Sequence, residues 1–433
     1  YAPLAAGEAT LHLRAKRFDD GRIEVGELFA EGAGGRVTGT GTLDEARDAV
    51  SGRLTLSLPS AMPYAALAPV ALSWRGLEAT ATVEGPLSRP RLALTATGDG
   101  LSIEQNAIGR AILGLRAEAD GAPLQPDTRF AFDLTADLRD LAPQSSELAG
   151  VVGSEAHLTA NGTATLDGAD IAALRLDLAP LAATFSGTVS TEAVDGKVNV
   201  ERADLAALRA FMDRPLAGVV ALTGDVSASF DLSRLAVTLN GMARGLETGV
   251  AQADGLLGRD VRLSGGFRRN ADGSFGFERF TVSGAHVGLI ADGSATENRA
   301  NVTAKLDLPD LSQLDARVTG RADVDATLTG SLDALDARLR LVIDGASALG
   351  RPVERLAADI EARDLTGAAT GTLSLSGSVD GKPATGSGRF ARDAAGAVRV
   401  SDLDIGLGSV RAQGAFDISP ASLASGRLTL RAG

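Results

Sequence analysis

The sequence contains no cysteine and few aromatic residues. The absence of cysteine excludes a disulfide framework, a cysteine-ligated zinc site and thiol catalysis. Phe, Tyr and Trp together make up only 4% of the chain, whereas ordinary globular cores take much of their buried area from aromatic side chains. Glycine, by contrast, accounts for 52 of the 433 residues. This composition is unusual for a set of conventional globular cores.

The chain also has fewer basic than acidic residues. The chain has 42 Lys and Arg against 55 Asp and Glu, which gives a net charge of −13. A nucleic-acid-binding protein needs a basic surface to meet phosphates, so this charge balance argues against that class. Hydrophobic residues make up 44% of the chain, which is too apolar for a disordered protein.

No hydrophobic run is suited to cross a membrane. The longest uncharged stretch, residues 54–74, contains Pro59, Pro63 and Pro69, which would each kink a helix. We interpret Leu54–Leu58 as a strand and the remainder of the stretch as a proline-rich connection. The chain starts at Tyr1 without a leader-like segment and stops directly after a strand-like segment at residues 427–430, so we expect it to be an internal fragment of a longer protein.

Catalytic and metal-binding patterns are missing from the sequence. His12, His157 and His286 lie far apart and have no companions at metal-ligand spacing. The chain also contains no phosphate-binding G-x-x-x-x-G-K-[ST] loop and no G-x-S-x-G nucleophile elbow. We therefore predict a protein that is not an enzyme and that holds neither a cofactor nor a metal ion.

Apolar and polar residues alternate along most of the chain. Because successive side chains of a strand point to opposite faces, this period of two predicts strands with one apolar face and one polar face. We therefore predict an all-β fold: an elongated, curved, mostly antiparallel sheet with short helical turns and about 30 strands. The apolar residues that we predict to line its groove are Leu54, Leu56, Leu58, Phe130, Phe132, Leu134, Val226, Phe230, Val302, Leu306, Leu308, Val324, Leu328, Leu339, Leu341, Ile343, Leu373, Leu375, Phe416 and Ile418.

Turn signals support hairpins between these strands. Asp-Gly occurs ten times, and the positive φ angles of a two-residue type I′ turn suit Asp, Asn and Gly. We predict such turns at residues 379–382 and 194–197, where Val-Asp-Gly-Lys occurs. The strongest helical segment is residues 204–212, with Asp204 as its N-cap.

A degenerate repeat runs along the chain. Its copies begin near residues 56, 134, 198 and 306, and each contains a strand, a short Leu-rich helical turn and further strands broken by Thr-Gly. We therefore predict one continuous repetitive body over residues 1–433 instead of three separate domains.

Two segments carry a resemblance to a known family. Residues 306–341 read LDLPDLSQLDARVTGRADVDATLTGSLDALDARLRL, and residues 373–390 read LSLSGSVDGKPATGSGRF. Together with the diffuse pattern over the whole chain, they resemble the TamB family of AsmA-like proteins of the Gram-negative envelope. The resemblance implies a β-groove with an apolar concave face that moves phospholipid from the inner to the outer membrane.

The same resemblance implies a location and partners. It places the protein in the periplasm, anchored in the inner membrane by a segment outside these residues. The implied partners are phospholipid acyl chains, outer-membrane protein clients and an Omp85-type outer-membrane barrel, TamA. We expect the contact with this barrel to involve parts outside the 433 residues.

Two other functions remain open at this stage. A one-sided sheet could chaperone outer-membrane β-barrel proteins by pairing its edge with their strands. It could also form a structural surface fibre. A phospholipid conduit is our leading hypothesis because of the alternating strands and the family resemblance. Many apolar positions also carry small residues, which leave room for a narrow, flexible guest.

Overall fold

The computed structural model describes residues 9–62, 71–121, 125, 128–211, 215–296, 298–348, 350–393, 396–420 and 424–433. Its strands form a single antiparallel sheet of 27 strands that is not closed, with 71% strand and 6% helix. The prediction of an all-β, antiparallel fold with few helices is confirmed.

The strands follow one another along the chain and are mostly 8 to 15 residues long. Their bounds are β1 Thr10–Arg17, β2 Ile23–Gly32, β3 Gly35–Asp44, β4 Ala49–Leu58, β5 Leu72–Ser73, β6 Gly76–Gly85, β7 Arg91–Ile103, β8 Asn106–Ala119, β9 Phe130–Ala142, β10 Glu155–Ala164, β11 Gly168–Leu178, β12 Leu181–Ser190, β13 Ala193–Asp204, β14 Ala217–Ser229, β15 Leu235–Glu247, β16 Asp260–Arg269, β17 Phe275–Ser283, β18 Gly288–Ala295, β19 Ala300–Leu308, β20 Val318–Ser331, β21 Ala334–Ala348, β22 Arg351–Arg363, β23 Thr370–Val379, β24 Lys382–Arg392, β25 Val398–Leu407, β26 Val410–Ile418 and β27 Ala424–Ala432.

Contacts divide the chain into two compact units. The first unit comprises Tyr1–Leu216 and Val220–Thr223, and the second comprises Ala217–Val219 and Gly224–Gly433. The first unit contains β1–β13 and the second contains β15–β27, while residues of β14 belong to both.

Four short helical segments lie wholly within the described residues, between the strands. They are α1 Ser146–Val152, α2 Ala251–Leu257 and two 3₁₀ helices, Leu205–Phe211 and Leu311–Gln313. The predicted helix at residues 204–212 is confirmed as 3₁₀, and the Asp204 Oδ1 accepts a hydrogen bond from the Ala206 amide at 2.9 Å. Its predicted last residue, Met212, lies outside the described residues. Helices α1 and α2 were not predicted from the sequence.

The connection after β4 is only partly described. The predicted strand Leu54–Leu58 is confirmed as the end of β4. Of the proline-rich connection that should follow, residues 63–70 lie outside the described residues. In the part of the chain that the structure describes, no helix combines the length and the apolar character needed to span a membrane.

The two predicted Asp-Gly hairpins have opposite outcomes. Val379 pairs with Lys382, and Asp380 and Gly381 between them have φ angles of 55° and 69°, as a type I′ turn requires. The prediction at residues 194–197 is wrong, because Asp195 and Gly196 lie inside β13 and pair with residues of β12. Asp-Gly therefore also occurs within strands here.

A polar turn ends β14 earlier than predicted. The alternation predicts that the strand continues through Phe230, but β14 stops at Ser229 and Phe230 lies in the following turn, 58% exposed. The Asp231 carboxylate accepts hydrogen bonds from the Ser229 hydroxyl at 2.5 Å and from the Ser233 amide at 3.0 Å. The prediction that Phe230 belongs to the strand is therefore wrong, because these bonds favour a turn over continued pairing.

Positive φ at Gly381 generates a first prediction. Replacing Gly381 by Ala forces a Cβ into the left-handed region, which costs on the order of 1 kcal/mol. We expect hydrogen exchange of the β23–β24 amides beside the turn to accelerate by about fivefold. Gly76→Ala is the matched control, since a Cβ at either position meets no atom within 4 Å and only Gly381 has positive φ. Equal exchange in the two variants would contradict the type I′ assignment.

The turn after β14 generates a second prediction. Hydrogen bonds from the Ser229 hydroxyl and from Ser233 hold the pKa of Asp231 at about 2. Because the folded pKa lies below the unfolded value of about 3.9, the stabilisation is present above pH 4 and is lost as pH falls through 2. Carboxyl-carbon NMR titration should place the Asp231 midpoint near 2, and Ser229→Ala should raise it. An unchanged midpoint in Ser229→Ala would rule out the assigned cause.

Candidate functional site

The first unit carries continuous apolar rows on one face. Directly opposed residues of neighbouring strands share a face, so a row of side chains can be followed from strand to strand through the register of the sheet. One row crosses β1–β13, apart from the two-residue β5, through Leu11, Ala30, Val37, Leu56, Ala79, Ala96, Leu113, Ala136, Leu158, Leu176, Ala183 and Val200. The adjacent row runs through Leu13, Leu28, Gly39, Leu54, Ala81, Leu94, Leu115, Leu134, Ala160, Leu174, Phe185 and Val198.

The second unit repeats this arrangement over β15–β27. Its central row runs through Gly241, Leu263, Val282, Leu289, Leu306, Val324, Leu341, Ala358, Leu375, Gly386, Ile405, Ala412 and Leu430. No polar or charged residue interrupts this row or either of the two rows of the first unit. We call these rows and the parallel apolar rows beside them the apolar face of each unit.

The register brings most of the predicted groove residues together within each unit. Leu54 and Leu134 share one row of the first unit, Leu56 belongs to the neighbouring row, and Leu58, Phe130 and Phe132 lie on flanking rows of the same face. Val226 is a half-buried residue of β14. In the second unit the predicted residues fall into four rows. The first contains Leu306, Val324, Leu341 and Leu375, the second Val302, Leu328 and Phe416, the third Leu339 and Leu373, and the fourth Leu308 and Ile343. Ile418 lies at the end of β26, on the same face as Phe416.

Burial on the apolar face is incomplete. Among the described residues, no large side chain falls below 2% exposure, and most of the buried apolar residues are alanines. Leu58 and Leu308 are the buried members of the predicted set, Leu54 is 44% exposed, and the other predicted strand residues are half-buried. Close packing like that of a sealed sandwich would bury large side chains completely. The apolar face therefore retains accessible apolar surface.

A recess interrupts the apolar face of the first unit where glycines replace larger residues. Gly41 and Gly52 oppose each other between β3 and β4, and Gly39 lies in the row beside them. The recess has a volume of about 300 Å³, and its walls include Leu28, Leu54 and other apolar side chains. A Cβ at Gly52 would approach the Val83 Cγ1 to 3.3 Å, so larger residues there would narrow the space.

The opposite face carries paired charges. In the second unit the Lys305 Nζ lies 3.5 Å from the Asp325 Oδ1, and the Arg321 guanidinium lies 3.2 Å from the Asp307 carboxylate. These pairs join neighbouring strands and are exposed, so each contributes at most about 1 kcal/mol. The alternation thus separates a charged, solvated face from the apolar face.

The charged side chains of the opposite face interact with their immediate neighbours. The Arg411 guanidinium donates hydrogen bonds to Asp404 and holds the pKa of that carboxyl below its usual range. The His157 Nδ1 lies 2.6 Å from the Asp137 Oδ1 on neighbouring strands. Within the described ranges, no group of three or more His, Cys, Asp or Glu side chains is arranged to hold a metal ion. These contacts are those of a solvated surface with cross-strand pairing.

Many members of the apolar rows are absent from the predicted set of groove-lining residues. Leu94, Leu115 and Leu174 share a row with the predicted Leu54 and Leu134. The alternation of apolar and polar residues around these leucines was visible in the sequence. Which residues lie beside them on the neighbouring strands depends on the cross-strand register, and alternation does not specify that register.

Comparison with known proteins identifies no relative. No family model matches the chain, and neither does any curated protein or solved structure.

The incomplete burial generates a third prediction. Leu375 is half-buried in the central row, whereas Leu308 is 7% exposed. Leu375→Ala should therefore cost only about 1 kcal/mol, while Leu308→Ala should cost about 2–5 kcal/mol because it leaves a cavity. Native-state hydrogen exchange of the strands flanking each site measures both values. Equal costs would show that the two leucines are equally enclosed and would contradict an open apolar face.

Proposed function

We propose that this protein is a non-enzymatic lipid conduit whose apolar face binds and passes phospholipid acyl chains between the inner and outer membranes. The observation that carries the proposal is the set of unbroken apolar rows, which cross β1–β13 in the first unit and β15–β27 in the second. A guest that slides along such a row meets apolar side chains at every strand.

The energetic advantage of such rows is large. Each methylene group exposed to water costs roughly 0.8 kcal/mol, so moving a 16-carbon chain through bulk water costs on the order of 10 kcal/mol. Half-buried leucine and valine side chains offer an apolar environment without enclosing the guest. A continuous track of this kind lowers the barrier to movement without requiring a tight site.

The backbone of the sheet favours hydrocarbon over peptide as the guest of this face. Apart from the two-residue β5, strands β2–β12 and β16–β26 are each paired on both sides. Their backbone donors and acceptors are used within the sheet, so a peptide lying on the apolar face would leave its own polar groups unpaired. An acyl chain has no such groups.

The resemblance to the TamB family supports the cellular setting of the proposal. On that basis, the protein works in the periplasm, anchored to the inner membrane, and supports assembly of outer-membrane proteins together with an Omp85-type barrel. Phospholipid is the guest, and nucleic acid has no role.

A photo-crosslinking experiment tests the proposal and is the fourth prediction. A photoreactive amino acid at Leu306 or Val324, within the central row, should capture phospholipid during expression in a Gram-negative host. The controls are Asp307 and Asp325, the next residues along the same strands, which point to the charged face. We expect at least tenfold more lipid adduct from the two apolar positions, measured by mass spectrometry.

Two results would overturn the proposal. Equal lipid capture at the apolar and charged positions would show that lipid adheres without regard to face. Capture of unfolded outer-membrane protein instead of lipid at Leu306 would favour a chaperone function.

A further inference from the structure

The recess in the apolar face of the first unit lies where two neighbouring rows of side chains carry glycines. One row runs through Leu28, Gly39 and Leu54, and the other runs through Val25, Gly41, Gly52, Val83 and Leu92. The two rows are two residues apart along each strand, which is about 7 Å. The recess therefore spans two rows on β3 and β4, and larger apolar side chains bound it on either side.

Apolar side chains with accessible surface wall the recess. Leu54 and Leu92 are 44% and 43% exposed. Thr40, Arg53 and Thr82 also border the recess, but they alternate with glycine and apolar residues along β3, β4 and β6, so their side chains point to the charged face. A guest in the recess therefore meets hydrocarbon side chains and the backbone of the glycines.

Backbone geometry does not require the three glycines of the recess. None of Gly39, Gly41 and Gly52 has a φ angle in the left-handed region. A Cβ would approach its nearest neighbour to 3.2 Å at Gly39, 3.1 Å at Gly41 and 3.3 Å at Gly52, so alanine needs an adjustment of only a few tenths of an ångström. Glycine weakens a strand relative to alanine. These residues therefore lower the stability of β3 and β4 without a conformational gain.

Glycines further along one of these rows have a different cause. The row of Gly41 and Gly52 also contains Gly162, Gly187 and Gly196. At each of these three positions a Cβ would approach a backbone oxygen of a neighbouring strand to 2.3 Å or less. Close backbone approach requires glycine there, whereas at Gly41 and Gly52 glycine provides space.

The volume of the recess suits part of a lipid. About 300 Å³ lies at the lower end of the range for small-molecule sites, and it is about twice the volume of an apolar cavity that binds benzene. Several methylene groups of an acyl chain fit this space, whereas a whole phospholipid does not. The headgroup therefore stays outside the recess.

An acyl chain in the recess gains contacts that it lacks elsewhere on the apolar face. Along the rows, a chain that lies on half-buried side chains is contacted mainly from below. In the recess, the same methylene groups are contacted by the glycine backbone below and by Leu54, Val83 and Leu92 at the sides. More of their surface leaves the water and more dispersion contacts form, so the chain stays longer there.

We propose that this recess is a discrete binding site for one acyl chain, at which lipid pauses on its way along the apolar face of the first unit. The apolar face of this unit then combines a continuous track with a defined site. The site rests on the proposed function for the identity of its guest, but a conduit without a preferred position would also pass lipid.

Photolabelling of the purified full chain tests the site and is the fifth prediction. The probe is a diazirine analogue of palmitate, titrated to saturation, and mass spectrometry maps its adducts. Adducts on the strands that wall the recess, β2, β4, β6 and β7, should half-saturate at a probe concentration at least fourfold below that of adducts in the second unit. The reason is that each additional methylene group removed from water is worth about fourfold in binding.

Filling the recess should remove this preference. Gly41→Val places its side chain over the glycine pair, because the Cβ of residue 41 would lie 3.5 Å from the Gly52 Cα, and valine is favoured in strands. We expect the half-saturation concentration of the first unit to rise at least fourfold, to that of the second unit. Gly52→Ala, a smaller filling, should raise it by less. Hydrogen exchange of the β3 and β4 amides verifies that the strands are kept, and Gly52→Ala alone decides the outcome where valine disturbs them.

Gly386→Val is the matched control. Gly386 lies in the central row of the second unit and has no positive φ. A Cβ there would approach the Leu375 Cβ to 3.1 Å, which is as close as the nearest contact of a Cβ at Gly41. This variant should leave the labelling of the first unit unchanged.

Two results would overturn the site and leave the proposed function standing. One is half-saturation of both units at the same probe concentration in the parent chain, and the other is an unchanged half-saturation of the first unit in Gly41→Val. Absence of adducts from both units would overturn the proposed function and the site together.

Discussion

Backbone pairing between neighbouring strands is the interaction on which the rest of this structure depends. In β2–β12 and β16–β26, apart from the short β5, the donors and acceptors of each strand are used by strands on both sides. The sheet therefore does not need a filled interior to satisfy its polar backbone. This explains how large apolar side chains remain half-buried across both units, and how one face keeps accessible apolar surface.

Alternation in the sequence was enough to predict the class of fold, but it identified only part of the apolar rows. The predicted strand Leu54–Leu58 lies in β4, and the predicted groove residues Val302, Leu306 and Leu308 alternate along β19, because the hydrophobic period directly reflects strand geometry. Local turn chemistry was less reliable. Asp-Gly forms a turn at Asp380 but lies inside a strand at Asp195, since a glycine in a strand also permits close approach of a neighbouring backbone.

Long-range features could not be predicted from one sequence. The neighbours of each residue depend on register, and bulges such as the one between Thr319 and Arg321 shift that register without a clear sequence signal. Helices α1 and α2 were missed for a related reason. Each has only seven residues, too short for a helical period to be distinct, and each contacts a 3₁₀ helix that lies four strands further along the chain.

The half-buried state of the apolar rows has a consequence for the protein's evolution. A fully enclosed side chain must match the volume of its cavity, but a leucine with one side open can be exchanged for valine, isoleucine or methionine with little loss. Selection then preserves the alternation and not the residue identities. Such a chain can drift far in sequence while its strands keep the same two faces.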